Sequence, residues 1–249
     1  TLVLGKDRVI GVNMPSEYSS MTTKGNAAHL ADHLGYESLI VPIGEMTKGT
    51  QNAFETAGLG EITGLSYENV QARLRGHTLM TVSSLRNGVV CNNGNKIETA
   101  LGYATLYGDA IGVLGLLADL TKLEVGSLSK YINETHGKEI IPTNLIPEIE
   151  ESSITWKFAP SAELDLGQVD PMKWGYHDHL VEYLLSHPVE ELLSSYLDGS
   201  IDTTAHGKYL SAYGLDEPKR FIEDLEWVLA TMNGAKYKRL QSPPILSLS

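Results

Sequence analysis

The chain has 249 residues, 42% of them hydrophobic and 20% charged, with a net charge of −12 from 31 acidic and 19 basic side chains. That length and a mean hydropathy of −0.12 suit a folded globular protein with a sizeable core. The acidic balance argues against nucleic-acid binding, no apolar run approaches the roughly 20 residues of a membrane helix, and one cysteine cannot form an internal disulfide.

Residues 1–4 read as the tail of a helix, followed by a turn at 5–7 and a strand over 8–14 that Pro15 stops, because proline cannot donate to a ladder. Ser19 or Ser20 is placed to cap a helix whose apolar residues Ala27, Leu30, Ala31 and Leu34 recur at helical spacing, and Gly35 ends it. A second strand is predicted over 37–43, a long helix over 67–84 and a short buried strand over 88–91. Periodicity fades from 134 to 171 among Pro142, Pro147, Pro160 and Pro171, which predicts a loop region able to close over a site. Helices follow over 176–185, 189–197 and 218–233, then a basic tail stopped by Pro243 and Pro244. Alternating strands and helices predict an α/β core with a parallel sheet over 1–135, and 136–249 is its loop region and helical C-terminal extension.

The most informative stretch is Cys91-Asn-Asn-Gly-Asn-Lys-Ile-Glu98, directly after an apolar strand. Ligands of parallel sheets bind at the carboxyl ends of strands, and a polar turn opening a helix there offers backbone N–H groups to an anion. Glu98 is placed to hold Mg²⁺ together with phosphate oxygens, or simply to cap its own helix. In Gly102-Tyr-Ala-Thr-Leu-Tyr-Gly-Asp109 the tyrosines suit either stacking on a nucleotide or core packing. Lys122 at a helix start is electrostatically unfavourable unless it serves a ligand or stands in solvent. Asn69 and Arg73 lie one turn apart on the long helix, and either Arg73 or Arg75 suits an anionic group, surface arginines being the alternative.

Taken in order, Arg8-Val-Ile-Gly-Val-Asn-Met-Pro-Ser-Glu-Tyr-Ser-Ser20, Glu68-Asn-Val-Gln-Ala-Arg-Leu-Arg75, residues 93–98 with 102–109, Pro160-Ser-Ala-Glu-Leu164 with Gly167-Gln-Val-Asp170, and Tyr237-Lys-Arg-Leu-Gln-Ser-Pro-Pro244 resemble the motif series of NAD synthetases. The resemblance covers nearly the whole chain and is closer to the glutamine-dependent than to the ammonia-only enzymes. It implies an adenine nucleotide alpha-hydrolase-like, Rossmann-like fold and a ligase that amidates deamido-NAD to NAD through an acyl-adenylate. ATP is then co-substrate, Mg²⁺ the metal, and AMP and pyrophosphate the co-products. It places Met14, Asn93, Lys122 and Ser161 at ATP. Asn93 stands where the family usually has threonine, which leaves its contact open. Asn69, Arg75, Glu98, Tyr103, Ala104, Thr105, Leu106, Asp109 and Lys238 are placed at or near deamido-NAD, with Glu98 also the metal ligand. Glu98 and Lys122 are the expected catalytic pair.

The single cysteine fits a reducing, cytoplasmic setting, and the same resemblance implies a homo-oligomer, such as a dimer, with ammonia supplied by a glutaminase domain of the same polypeptide. The family's Ser-Gly-Gly phosphate loop has no counterpart in these residues, so the chain is read as part of a longer protein and expected to be inactive alone. Another ATP pyrophosphatase-type amidating enzyme and a catalytically silent nucleotide-binding domain are the alternatives. Cys91 is expected to be a buried structural thiol, His177 and His179 a solvated helix start, and the acidic runs at 148–151 and 190–191 exposed faces.

Overall fold

The computed structural model describes residues 1–247. Strands β1 (Ile10–Asn13) and β2 (Glu37–Ile40) pair in parallel, Ile10 opposite Glu37 and Asn13 opposite Ile40, with helix α1 (Met21–Leu34) connecting them. The Ser20 hydroxyl accepts the Thr23 N–H at 3.1 Å, and Gly35 closes α1 in the left-handed conformation. Residues 1–4 do not form a helix. Gly5 donates to the Thr1 carbonyl at 2.8 Å, but its φ of 86° turns the chain into a short 3-10 segment, Lys6–Arg8, which also shortens β1 at its front. Strand β2 runs only to Ile40, although Val41 still donates to the Asn13 carbonyl at 2.8 Å and Ile43 to the Pro15 carbonyl at 3.1 Å.

Helix α2 (Gly44–Thr56) is absent from the sequence reading, and α3 (Gly64–Arg86) extends the expected long helix at both ends. The strand expected over 88–91 is displaced to β3 (Cys91–Asn92), which pairs in parallel with β4 (Leu114–Gly115). Among the described residues, the parallel strands form two separate pairs. Helix α4 (Lys96–Leu101) follows β3, and α5 (Lys122–His136) follows β4. The loop region carries a 3-10 turn (Thr143–Leu145) and a small antiparallel hairpin, β5 (Glu148–Ile149) with β6 (Ile154–Thr155).

Helices α6 (Tyr176–Ser186), α7 (Val189–Asp198), α8 (Pro218–Gly234) and α9 (Lys236–Arg239) complete the chain, the first three close to their expected bounds. They carry the main core: Tyr176, Leu180, Val181, Leu192, Phe221, Leu225 and Val228 bury against Ile97 and Leu101 of α4. Helix α4 is thus fixed from its apolar face by the C-terminal helices, while its first turn is left for the cavity described below. His177 is not solvated. Its Nδ1 accepts the Lys173 N–H at 3.0 Å and its Nε2–H donates to Asp224 at 3.0 Å, inside the core. The acidic runs at 148–151 and 190–191 are exposed, as read. Among the described residues no helix is long and apolar enough to cross a membrane.

Candidate active site

Several elements meet at one cavity of about 510 Å³. Met14 and Asn93 follow the carboxyl ends of β1 and β3, and both line it. Helix α3 contributes Arg75, while the segment after α4 contributes Tyr103, Ala104 and Asp109. Glu98 of α4, Lys122 of α5, Ser161 of the loop region and Lys238 of α9 complete the expected set on its walls. Asn69, Thr105 and Leu106 do not line the cavity. The Thr105 hydroxyl donates to Asn69 Oδ1 at 2.8 Å, and the Leu106 carbonyl accepts from Arg73 Nε at 3.3 Å. Arg73 is exposed, so of the two arginines it is Arg75 that enters the cavity wall.

The first turn of α4 decides what the Asn-rich turn can do. Asn95 Oδ1 accepts the Ile97 and Glu98 N–H groups, each at 2.9 Å, and Glu98 Oε2 accepts the Asn95 N–H at 2.9 Å. Gly94 N–H goes to Asn92 Oδ1 and Lys96 N–H to the Leu120 carbonyl. These donors are satisfied within the chain, so the expectation that they present themselves to an anion is not met. Glu98 does cap its helix, and it also faces the cavity with its second oxygen. That oxygen, Oε1, lies 3.8 Å from Lys122 Nζ. Burial raises the Glu98 pKa, while Lys122 and the Asn95 N–H pull it back.

The cations of the cavity are held differently. Lys238 Nζ donates to the carbonyls of Gly102 and Ala104 at 2.8 and 2.7 Å, closing the end of α4. Arg75 donates to the Met14 carbonyl at 3.3 Å and to Ser16 Oγ at 3.4 Å, and its burial lowers its pKa. Lys122 Nζ stands 5.1 Å from the centre of the Trp174 ring. Asp170, the last residue of the Gly167-Gln-Val-Asp170 motif, also lines the cavity. Burial raises its pKa, offset by Lys122 and by the Tyr103 hydroxyl that donates to it, and burial raises that of Tyr103. Asp109 accepts the Thr105 N–H at 2.5 Å and has a pKa raised by burial.

Two further features shape the walls. The loop over 160–170 is tied down at both sides: Glu163 Oε1 accepts from the Thr23 hydroxyl at 2.9 Å, and the Leu164 carbonyl accepts from Gln71 Nε2 at 2.8 Å. Ser161 Oγ donates to the Gln168 carbonyl at 2.6 Å. Helix α3 crosses the 107–108 segment at contact distance, since a Cβ on Gly76 would stand 2.6 Å from the Tyr107 carbonyl oxygen. Cys91 is exposed and lines the cavity, contrary to the expected buried thiol; a strand of two residues paired on one side leaves its flank open.

The sequence profile of the family described as NAD synthase matches residues 1–203. The chain belongs to the NAD synthase family. It is 35% identical over 202 residues to a glutamine-dependent NAD(+) synthetase of Thermotoga maritima, covering 81% of this chain and 32% of that protein. The chain spans about a third of the length of the curated relatives it matches. Among solved structures, the glutamine-dependent NAD+ synthetase of Acinetobacter baumannii in complex with ADP is 34% identical with a TM-score of 0.55, over 57% of this chain and 27% of that one. A glutamine-dependent NAD(+) synthetase of Cytophaga hutchinsonii, 15% identical, shares the fold at a TM-score of 0.67 over 95% of this chain and 35% of that one. The fold of this NAD synthase family chain is accordingly that of the adenine nucleotide alpha-hydrolases, with parallel strands and flanking helices.

Proposed function

We propose that the chain carries the amidating site of a glutamine-dependent NAD synthetase. The nicotinate carboxylate of deamido-NAD attacks the α-phosphate of ATP, pyrophosphate leaves, and ammonia then displaces AMP from the acyl-adenylate to give NAD. The observation that carries this reading is the shared cavity, in which the Glu98 carboxylate and the Lys122 ammonium stand 3.8 Å apart. Two anionic substrates must be brought together there, so fixed cations are the main requirement.

In this reading Met14 and Asn93 meet ATP, with Lys122 and Ser161 at its phosphates. Arg75, Glu98, Tyr103, Ala104, Asp109 and Lys238 meet deamido-NAD, and Asn69 and Thr105, bonded to each other, and Leu106, which accepts from Arg73, belong with them behind the wall. Tyr103 and Asp170 stand together on this wall, the tyrosine ring beside the dinucleotide.

Magnesium fits this donor set only as a phosphate-borne ion. Among the described residues no three His, Cys, Asp or Glu side chains are grouped to hold a metal, and Glu98 has one oxygen engaged by Asn95. One carboxylate oxygen plus phosphate oxygens and water is an ordinary magnesium environment. When bound, the ion supplies charge neutralisation at the phosphates. The same reading includes ammonia from a glutaminase domain, in keeping with the names of the relatives, a cytoplasmic setting, in keeping with the single cysteine, and a homo-oligomer.

The test supplies the intact protein with deamido-NAD, ATP, ammonium and magnesium. NAD, AMP and pyrophosphate are expected in equal amounts. ADP and phosphate as products rule the adenylation out.

A further inference from the structure

The Lys122 side chain is held from a part of the chain remote in sequence. Its own backbone N–H donates to Asp178 Oδ1 at 2.6 Å, and the second oxygen of Asp178 accepts the Gly175 N–H at 2.7 Å. Asp178 is fully buried, so one carboxylate ties the first turn of α5 to the first turn of α6. A buried anion between two helix starts is favoured by the positive ends of both. Its own burial raises its pKa, opposed by these backbone donors.

Four residues before Asp178, Trp174 is 5% exposed and presents its ring to the Lys122 ammonium. The Trp174 backbone is pinned in turn: its carbonyl accepts the Tyr213 hydroxyl at 2.8 Å, and Lys173 beside it is held by Asp224 through an ion pair. Gly175 has a φ of 83°, and a Cβ there would stand 2.7 Å from Ile154 and from Tyr209, so the turn between ring and carboxylate accepts glycine alone. Neither Trp174 nor Asp178 is among the residues lining the cavity.

We infer that Trp174 and Asp178 are positioning residues, which set the Lys122 ammonium at the cavity wall for the phosphates of ATP. Asp178 fixes the backbone from which Lys122 projects, and the indole face steers the ammonium, while Glu98 sits at a loose 3.8 Å and Asp170 also feels its charge. A face-on indole attracts the ammonium without neutralising it, which leaves its charge for a phosphate. The inference rests on the assignment of Lys122 to ATP.

The experiment is a double-mutant cycle in the intact protein, read as the dissociation constant of ATP by calorimetry and as the KM for ATP against kcat. Trp174→Leu and Asp178→Asn are each expected to weaken ATP about fivefold to tenfold, with Trp174→Phe recovering most of the loss because its ring still faces the cation. In a Lys122→Ala background neither substitution should weaken ATP further. Losses that add to that of Lys122→Ala, or no loss in Trp174→Leu when Lys122→Ala has one, overturn the inference and leave the assignment of Lys122 standing. Unchanged ATP binding in Lys122→Ala overturns the assignment and the inference with it. Should Asp178→Asn fail to fold, Trp174→Leu and Trp174→Phe complete the cycle.

Discussion

Glu98 and Lys122 occupy the first turns of two different helices, α4 and α5, and face each other at 3.8 Å across the cavity wall. Glu98 has two jobs on its two oxygens. One closes a capping box with Asn95, worth about 1 kcal/mol of helix stability, and the other carries charge into the cavity.

Glu98→Gln separates those jobs, because a glutamine oxygen still accepts the Asn95 N–H while the charge is gone. Turnover of the intact protein is expected to drop by about 10² or more, since metal and charge stabilisation act on the reacting phosphate. The thermal midpoint should stay within about 2 °C of the parent. Turnover within about threefold of the parent would return Glu98 to capping alone.

Gly76→Ala tests the crossing that builds one wall. The new methyl group would meet the carbonyl oxygens of Tyr107 and Gly108 at 2.6 and 2.7 Å, both of them backbone atoms with little freedom to retreat. A loss of about 1–3 kcal/mol in unfolding free energy is expected. The KM for deamido-NAD should rise with it, because the 103–109 segment shifts. Chemical denaturation and steady-state kinetics measure the two effects.

Asp224 anchors His177 and Lys173 in the C-terminal core. Burial works to raise its pKa, but the hydrogen bond from His177 and the Lys173 ammonium outweigh it, so the folded value lies below the ordinary carboxylate range. A depressed folded pKa contributes stability that is present above the unfolded value and is lost as pH falls through the folded one. Asp224→Asn should therefore cost about 3 kcal/mol at neutral pH. Its deficit should shrink as pH falls below about 4, where the unfolded parent's carboxylate takes up a proton while the folded one still resists it. Denaturation midpoints from pH 3 to 7 provide the check.

His206 has the opposite chemistry and the same sign. It is 2% exposed, its Nε2 has no hydrogen-bond partner, and burial together with nearby His179 lowers its pKa to about 4. Unfolding releases it to titrate at 6.5, so the unfolded state takes up the proton first. Stability carried by neutral His206 is whole above pH 6.5 and declines as pH falls toward 4, by a few kcal/mol at about 1.4 per unit. The difference in unfolding free energy between parent and His206→Leu should follow that window. A difference that is constant from pH 7 to 4 would show that the ring is not held neutral.

The sequence by itself determined the local features whose causes are local. A serine at 19–20 caps α1, Gly35 ends it, Pro15 limits the first strand, and α6, α7 and α8 fall near their predicted bounds. Each follows from hydrogen-bond donors, φ preferences or apolar spacing within a few residues. The ordered motifs likewise named most of the residues that line the cavity. Tertiary structure alone decided how those residues are used. Whether backbone donors at 94–98 are free depends on Asn92, Asn95, Glu98 and Leu120 folding back on them. Arg75 rather than Arg73 lines the cavity because α3 is fixed in rotation by its glycine-close crossing at Gly76. His177 reads as a polar helix start, yet it is buried because Asp224, 47 positions away, supplies a partner. Lys122 gains its setting from Trp174 and from Asp178, 56 positions away. Local pattern specifies elements through short-range sterics and hydrogen bonds, whereas burial, charge pairing and the direction of a side chain are set by partners that only chain folding brings near.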